Sequence, residues 1–198
     1  MSHAHEEIKL YFDYKSPFAY LASEPAFDLS RRYDVAVRWI PYQLRIKGPG
    51  ERSVRSDWKA RYSYLDARRF ANPRGLVIRG PKKIYDTYPA LVGALFAMRA
   101  GCFRHYTAEA YARFFRRELE LDQGDAIAAL LGDCGASPDE YRRFLEGEGA
   151  AAYARCEAEA EEDHIFGVPI FVYRAEPFWG HDRLPVLEER LVAAGLTR

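Results

Sequence analysis

Residues 8–22, Ile8-Lys9-Leu10-Tyr11-Phe12-Asp13-Tyr14-Lys15-Ser16-Pro17-Phe18-Ala19-Tyr20-Leu21-Ala22, join two different periodicities across a short hinge. Ile8, Leu10 and Phe12 alternate with Lys9, Tyr11 and Asp13, the period of two of a strand with one face more buried than the other. From Phe18 the apolar residues continue as Leu21, Ala22, Ala26 and Leu29, at spacings that share one helix face. Ser16-Pro17 is the helix start, because a serine oxygen accepts from first-turn amides and proline's fixed φ suits the first helical position. This helix is expected to reach about Tyr33, with Pro25 removing one internal hydrogen bond and kinking it. Val35, Val37 and Trp39 form a second alternating run ending at Pro41. Strand, helix and strand within about thirty residues is the pattern of a parallel βαβ unit.

Beyond Pro41 the patterning changes. From Gln43 to Ile165 no comparable strand occurs, and helix signals follow one another. Asp57 to Ala71 is a candidate helix, Pro89 opens another that Gly101 stops, and Thr107 is the expected cap of a third carrying Tyr111, Phe114, Phe115 and Leu119. Ser137-Pro138-Asp139-Glu140 is a capping box, and an Ala- and Glu-rich helix covers roughly 149–164 with Glu161, Glu162 and Asp163 on its wet side. Strand signals return in Pro169 to Tyr173 and Pro177 to Gly180, around a turn near Arg174-Ala175. Asp182 is the expected cap of a last helix bearing Leu184, Leu187, Leu191 and Val192. The resulting fold class is α/β, with residues 1–42 and 165–198 forming one domain split by a helical insertion over 43–164.

Composition bounds what such a chain does. Hydrophobic residues make up 48% and aromatics 15% of 198 residues, enough for a packed core and against a disordered chain. Three cysteines, Cys102, Cys134 and Cys156, with no C-x-x-C, exclude a disulfide framework, a zinc ribbon and a dithiol redox centre, and fit a reducing cytoplasm. Met1 to Glu7 has no basic end followed by an apolar run, and no stretch is long enough to span a bilayer, so neither export nor a membrane is expected. His105, His164 and His181 lack ligand spacing, so no metal is expected. The formal charge is zero, yet residues 45–83 hold twelve Lys and Arg against three acids, and residues 118–163 fourteen acids against three arginines. The usual meaning is a solvated face; the basic run also suits a small anionic substrate or an RNA backbone, although an RNA-binding motif and a glycine-rich phosphate loop are both missing.

Three places carry candidate chemistry. Ser16 lies where free amides and the positive end of a helix dipole attract an anion, although most serines there are only caps. Val168-Pro169 opens a hairpin strand and suits a cis bond beside an open backbone edge, although most such bonds are trans. Phe178-Trp179-Gly180-His181-Asp182-Arg183-Leu184 delivers a His-Asp-Arg cluster to a helix start, where the plainer reading is a cap with a surface arginine.

Taken together, Asp13 to Ala22, Gly167-Val168-Pro169 and Phe178 to Leu184 resemble the 2-hydroxychromene-2-carboxylate isomerase family, which stands with the kappa-class glutathione transferases and DsbA. Lys59-Ala60-Arg61-Tyr62 with Asp66, Arg68-Arg69 and Ala71, and then Pro89-Ala90-Leu91, resemble the family's helical segment between them. The resemblance implies a thioredoxin-like domain interrupted by an all-helical insertion, glutathione as cofactor, a small acidic aromatic substrate and a homodimer. It implies that Ser16 holds the glutathione sulfur where redox relatives carry a cysteine. Val168, before a cis-Pro169, would pair its backbone with the glutathione peptide, His181, Asp182 and Arg183 would lie near the γ-glutamyl end, and Lys59 would stand near the site. Two departures touch the second substrate and glutathione affinity: the loop Arg45 to Gly50 lacks the family's asparagine, and Asp86-Thr87 replaces an Asn-Ser or Asn-Thr pair.

The chemistry is quantitatively reasonable. A thiol of pKa about 8.5 is a few per cent ionised at neutral pH, and lowering it by about two units needs about 2.7 kcal/mol. A helix N-terminus offers about 0.3–1 kcal/mol and a hydrogen bond to a charged sulfur about 1.5–3, with Lys15 or Lys59 adding favourable charge. Serine donates to a thiolate without forming a disulfide with it. The leading expectation is therefore a glutathione-dependent isomerase, with a kappa-type transferase or peroxidase and a non-enzymatic anion- or RNA-binding module as alternatives.

Overall fold

The computed structural model describes residues 5–45 and 53–198. Strand β1, Glu6–Phe12, lies inside a four-stranded sheet of order β2-β1-β3-β4. It pairs in parallel with β2, Val35–Pro41, from Glu6 opposite Val35 to Phe12 opposite Pro41, across helix α1, Pro17–Arg32. On its other edge it runs antiparallel to β3, Ile170–Tyr173, which turns through Arg174 and Ala175, both at positive φ, into β4, Glu176–Trp179. The βαβ unit and the hairpin are those the periodicity predicts. Both faces of β1 are buried, however, because Tyr11 is as covered as Ile8.

Pro25 does not break α1. Proline has no N–H for the carbonyl four residues back, which is that of Leu21, and the guanidinium of Arg74 donates to that oxygen at 2.8 Å instead. A side chain from another segment thus replaces the missing helical bond.

Between β2 and β3 lie six α-helices among the described residues: α2 (Val54–Ala71), α3 (Tyr88–Ala100), α4 (Phe103–Arg116), α5 (Gly124–Asp133), α6 (Pro138–Glu146) and α7 (Glu148–Glu162). A last helix, α8, spans Leu184–Ala193. Ser137 accepts from the Glu140 amide at 3.3 Å, the serine half of the anticipated box. Three expected starts move. Helix α2 begins after Ser53, whose hydroxyl caps it, and not at Asp57. Thr107 lies buried inside α4, where its hydroxyl meets that of Tyr14 at 3.0 Å; a threonine that looks like a cap in sequence is here a partner in the core. Asp182 falls in a 3-10 turn, His181–Arg183, ahead of α8 and turns to Arg183 at 2.9 Å instead of capping.

Aromatic rings bind the helices to the sheet. Phe12 meets Trp39 at 5.5 Å and Tyr14 at 5.4 Å, Tyr14 meets Tyr111 at 4.9 Å, and Tyr20 stacks between Tyr111 and Phe115 at 5.1 and 5.4 Å. Such pairs add about 0.5–1.5 kcal/mol each beyond burial. This face of β1, α1 and α4 form one continuous core, which holds the hinge of residues 13–16 against the helices.

On the opposite face Tyr11, Ile40 and Val168 pack against Ala160 of α7. Asp163, expected on the wet side of that helix, faces the sheet: it accepts from Lys9 at 2.7 Å and from the Tyr11 hydroxyl at 2.6 Å. Glu159 accepts from Lys9 at 2.8 Å and from Arg38, which together hold its carboxyl at about 2. The acidic run thus includes two ion-paired anchors that helical spacing alone did not separate from solvent.

Candidate active site

The hinge after β1 ends at Ser16, where the φ/ψ of −87° and 116° is extended and α1 begins at the next residue. Ser16 is buried, and its Oγ accepts from the Ala19 amide at 3.2 Å, so it caps the helix as the sequence requires. The same hydroxyl donates to the Val168 carbonyl at 3.2 Å. The Val168–Pro169 bond is cis. The β1–β3 ladder stops at Ile170, so the Val168 backbone stands beside Ser16 outside the sheet pairing. Two segments separated by 152 residues are thereby joined through one hydroxyl.

Below the hinge, Asp13 is fully buried and accepts from the Leu44 amide at 2.7 Å and the Lys15 amide at 3.2 Å. Burial pushes its carboxyl above the usual range, while the Lys15 ammonium and these amides pull it down. Lys15 is itself only 7% exposed; its Nζ lies 3.4 Å from Asp13 Oδ2 and donates to the Tyr85 carbonyl at 3.3 Å. A buried ammonium next in sequence to the capping serine is a feature that the sequence reading treats only as added charge. Its signal was a lone lysine between a strand end and a helix cap.

The second candidate cluster also converges on the start of α1. Gly180, at φ 112°, turns the chain so closely that a Cβ there would lie 2.4 Å from Asp182 Oδ1. The His181 ring stacks on Phe18 at 5.4 Å and takes the edge of Phe70, from α2, at 4.6 Å. Burial lowers its pKa, so the imidazole is neutral at neutral pH, and its Nε2 is covered without a hydrogen-bond partner among the described residues. Asp182 and Arg183 are exposed and pair with each other. The structure therefore brings Ser16, Val168, Pro169 and His181 to one end of α1. Lys59 stands exposed on α2, about 16 Å of helix rise before Phe70. Of the two departures, residues 46–50 lie outside the described chain. Asp86 accepts from Gln43 Nε2 at 2.7 Å and from the Tyr88 amide at 3.0 Å, bracing the start of α3.

No cysteine stands at the Ser16 end of α1. Cys134 and Cys156 are each pushed up to about 11 by burial, so neither supplies a thiolate at neutral pH.

A sheet of this order, a hinge feeding a helix and a cis-proline facing its cap define a thioredoxin-like protein. The chain belongs to the DsbA-like thioredoxin domain family, whose model matches residues 7–192. It is 26% identical over 193 residues to a 2-hydroxychromene-2-carboxylate isomerase of Sphingobium xenophagum, covering 93% of this chain and 97% of that one. It is equally identical, over 192 residues and 93% of both chains, to the Pseudomonas putida protein of that name. Among solved structures, a 2-hydroxychromene-2-carboxylate isomerase superposes with a TM-score of 0.80 at 23% identity over 95% of both chains. The cytosolic disulfide reductase DsbM of Pseudomonas aeruginosa with GSH superposes with a TM-score of 0.63 at 15% identity, covering 93% of this chain and 98% of that one. No helix among the described residues is long and apolar enough to cross a membrane.

Proposed function

We propose that this protein is a glutathione-dependent isomerase of the 2-hydroxychromene-2-carboxylate type. The observation that carries the reading is Ser16. In this DsbA-like domain, the cap of α1 holds a buried hydroxyl directed at the residue before the cis-proline, and not a thiol. A hydroxyl there suits a sulfur that is used and returned, and is useless for exchanging a disulfide. Relatives bearing the isomerase name over almost the whole chain support the same reading.

The residues present fit glutathione. The Val168 backbone outside the ladder suits an extended peptide, the start of α1 suits an anion, and the covered His181 Nε2 lacks a partner. Bound here, glutathione supplies a nucleophilic thiolate that is regenerated at the end of each turnover. Ser16 can move its proton from the Val168 carbonyl to an anionic sulfur while its oxygen keeps the Ala19 amide, so the cap survives the exchange. Amides of the first turn of α1 add their field to that hydrogen bond. Val168 holds the peptide in register, and Phe18, His181 and Phe70 provide an apolar wall at the same end of α1. His181, Asp182 and Arg183 are assigned to the γ-glutamyl end, the last two after exchanging their mutual pair for ligand contacts.

The test is turnover of 2-hydroxychromene-2-carboxylate with glutathione, together with calorimetry of glutathione binding and total thiol followed during the reaction. Isomerisation at constant thiol is expected, whereas a transferase or peroxidase consumes thiol. Absence of glutathione binding, or turnover unchanged in Ser16→Ala, refutes the reading. A homodimer forms part of the proposal and is checked by sedimentation equilibrium.

A further inference from the structure

Lys15 lines a cavity of about 400 Å³ whose other walls are Gln43, Leu44, Arg45, Ile84, Tyr85 and Asp86. That volume lies within the range of small-molecule sites and admits a one- or two-ring acid. Of its polar groups, Gln43 and Asp86 are already engaged, and Arg45 is an exposed cation on the same wall. The Gln43 side-chain amide donates to Asp86, the Gln43 backbone donates to the Tyr153 hydroxyl at 3.0 Å, and Asp86 also takes the Tyr88 amide.

Lys15 differs. Its ammonium carries three donors, and among the described residues it has two partners, at 3.3 and 3.4 Å, both long for a charged hydrogen bond. Asp13 offers it little more, because that carboxylate is held at 2.7 Å by the Leu44 amide and by the Lys15 amide, and it lies beneath Lys15, not in the cavity wall. A buried cation with an unspent donor, opening onto a cavity walled on other sides by Leu44, Ile84 and Tyr85, matches a flat apolar acid: ring against the hydrocarbon, carboxylate on the ammonium.

We propose that Lys15 is the specificity-determining residue that recognises the carboxylate of the second substrate in this cavity, with Ser16 the next residue along the chain. The proposal deepens the isomerase reading and rests on it for the place of that substrate in a reaction. Its ligand chemistry, an aromatic carboxylate, is testable without turnover.

The test uses salicylate and its uncharged isostere salicylamide as probes, titrated into the whole protein by calorimetry or tyrosine and tryptophan fluorescence. Four proteins are compared: wild type, Lys15→Arg, Lys15→Met, and Lys15→Met with Asp13→Asn, which removes both charges of the buried pair. The double variant guards against a single variant that fails to fold, and circular dichroism checks each. Wild type is expected to bind salicylate in preference to salicylamide, Lys15→Arg to keep that preference, and both Met variants to lose about tenfold or more in salicylate affinity while salicylamide affinity stays within about twofold. Salicylate bound no better than salicylamide by wild type, equal salicylate affinity in the folded Met variants, or an equal loss of salicylate and salicylamide affinity in them each overturns the assignment. Lys15-dependent salicylate binding without isomerisation keeps this subsite and refutes only the reaction. Isomerisation without Lys15-dependent binding does the reverse.

Discussion

Replacing Ser16 by alanine separates the structural use of that hydroxyl from its chemical use. The structural loss has two parts. Losing the N-cap contact to the Ala19 amide costs about 1 kcal/mol, and leaving the Val168 carbonyl without its donor costs about 1–2 more. For a chain of this length each kcal/mol lowers Tm by about 2–4 °C, so thermal unfolding should come about 4–12 °C earlier. The chemical loss is the hydrogen bond to a charged sulfur, about 1.5–3 kcal/mol, which raises the bound thiol pKa by about one to two units. The two losses differ in their pH dependence. A thiol with a raised pKa is still ionised in sufficiently alkaline solution, so the ratio of wild-type to variant turnover should be about 10–100 at pH 6 and below and shrink towards one near pH 9. The thiolate ultraviolet absorbance of the glutathione complex, titrated in both proteins, measures the shift directly. A variant that melts early yet shows the same turnover ratio at every pH, with an unshifted thiolate titration, would reduce Ser16 to a helix cap and remove the basis of the isomerase assignment.

Acid stability provides a second check. The Glu159 carboxyl is held at about 2 against an ordinary 4.5, so the folded pKa is the depressed one. Its contribution is fully present above pH 4.5 and disappears as the pH falls towards 2, and Glu159→Gln should flatten that limb in urea titrations at successive pH values. Arg74→Ala should cost about 1–2 kcal/mol, by leaving the Leu21 carbonyl opposite Pro25 without a donor, and Pro25→Ala in the same background should restore most of it; urea midpoints of the two proteins measure both. Thr107→Val should cost a similar amount and loosen Tyr14 beside the hinge, detected as a lower urea midpoint; an unchanged midpoint argues against the Tyr14–Thr107 hydrogen bond.

Local rules carry a long way in this chain. The β1–α1–β2 unit follows from side-chain periodicity and one Ser-Pro start, and the structure reproduces it in parallel register. Ser16 as a cap follows from the amides any helix start leaves free. Local rules fail where a residue's partner is distant. Pro25 reads as a break because its missing N–H is a local fact, while the guanidinium that replaces it comes from residue 74. Thr107 reads as a cap because threonine hydroxyls favour helix starts, while its partner is Tyr14 in another element. Asp163 reads as wet for the same reason, with Lys9 and Tyr11 out of local view.

The candidate site divides along the same line. Ser16, the Val168–Pro169 step and the His181 turn were each legible in sequence only as ordinary caps and strand starts, and their resemblance in order to one family joined them on paper. Their convergence on one end of α1 is a fact of the fold, made by a hydroxyl bridging residues 16 and 168 and by Phe18 and Phe70 enclosing His181. Lys15 stands furthest from local reading, since a lysine between two elements looks solvated until Leu44, Tyr85 and Asp13 close around it.

The sequence by itself determined the elements, the helix start at Ser16 and the lack of a cysteine there, because backbone propensities and residue identities act within a few positions. Only the tertiary structure decided which of those groups meet, and which charges are buried and paired, because burial and long-range hydrogen bonds depend on segments from 31 to 152 residues apart.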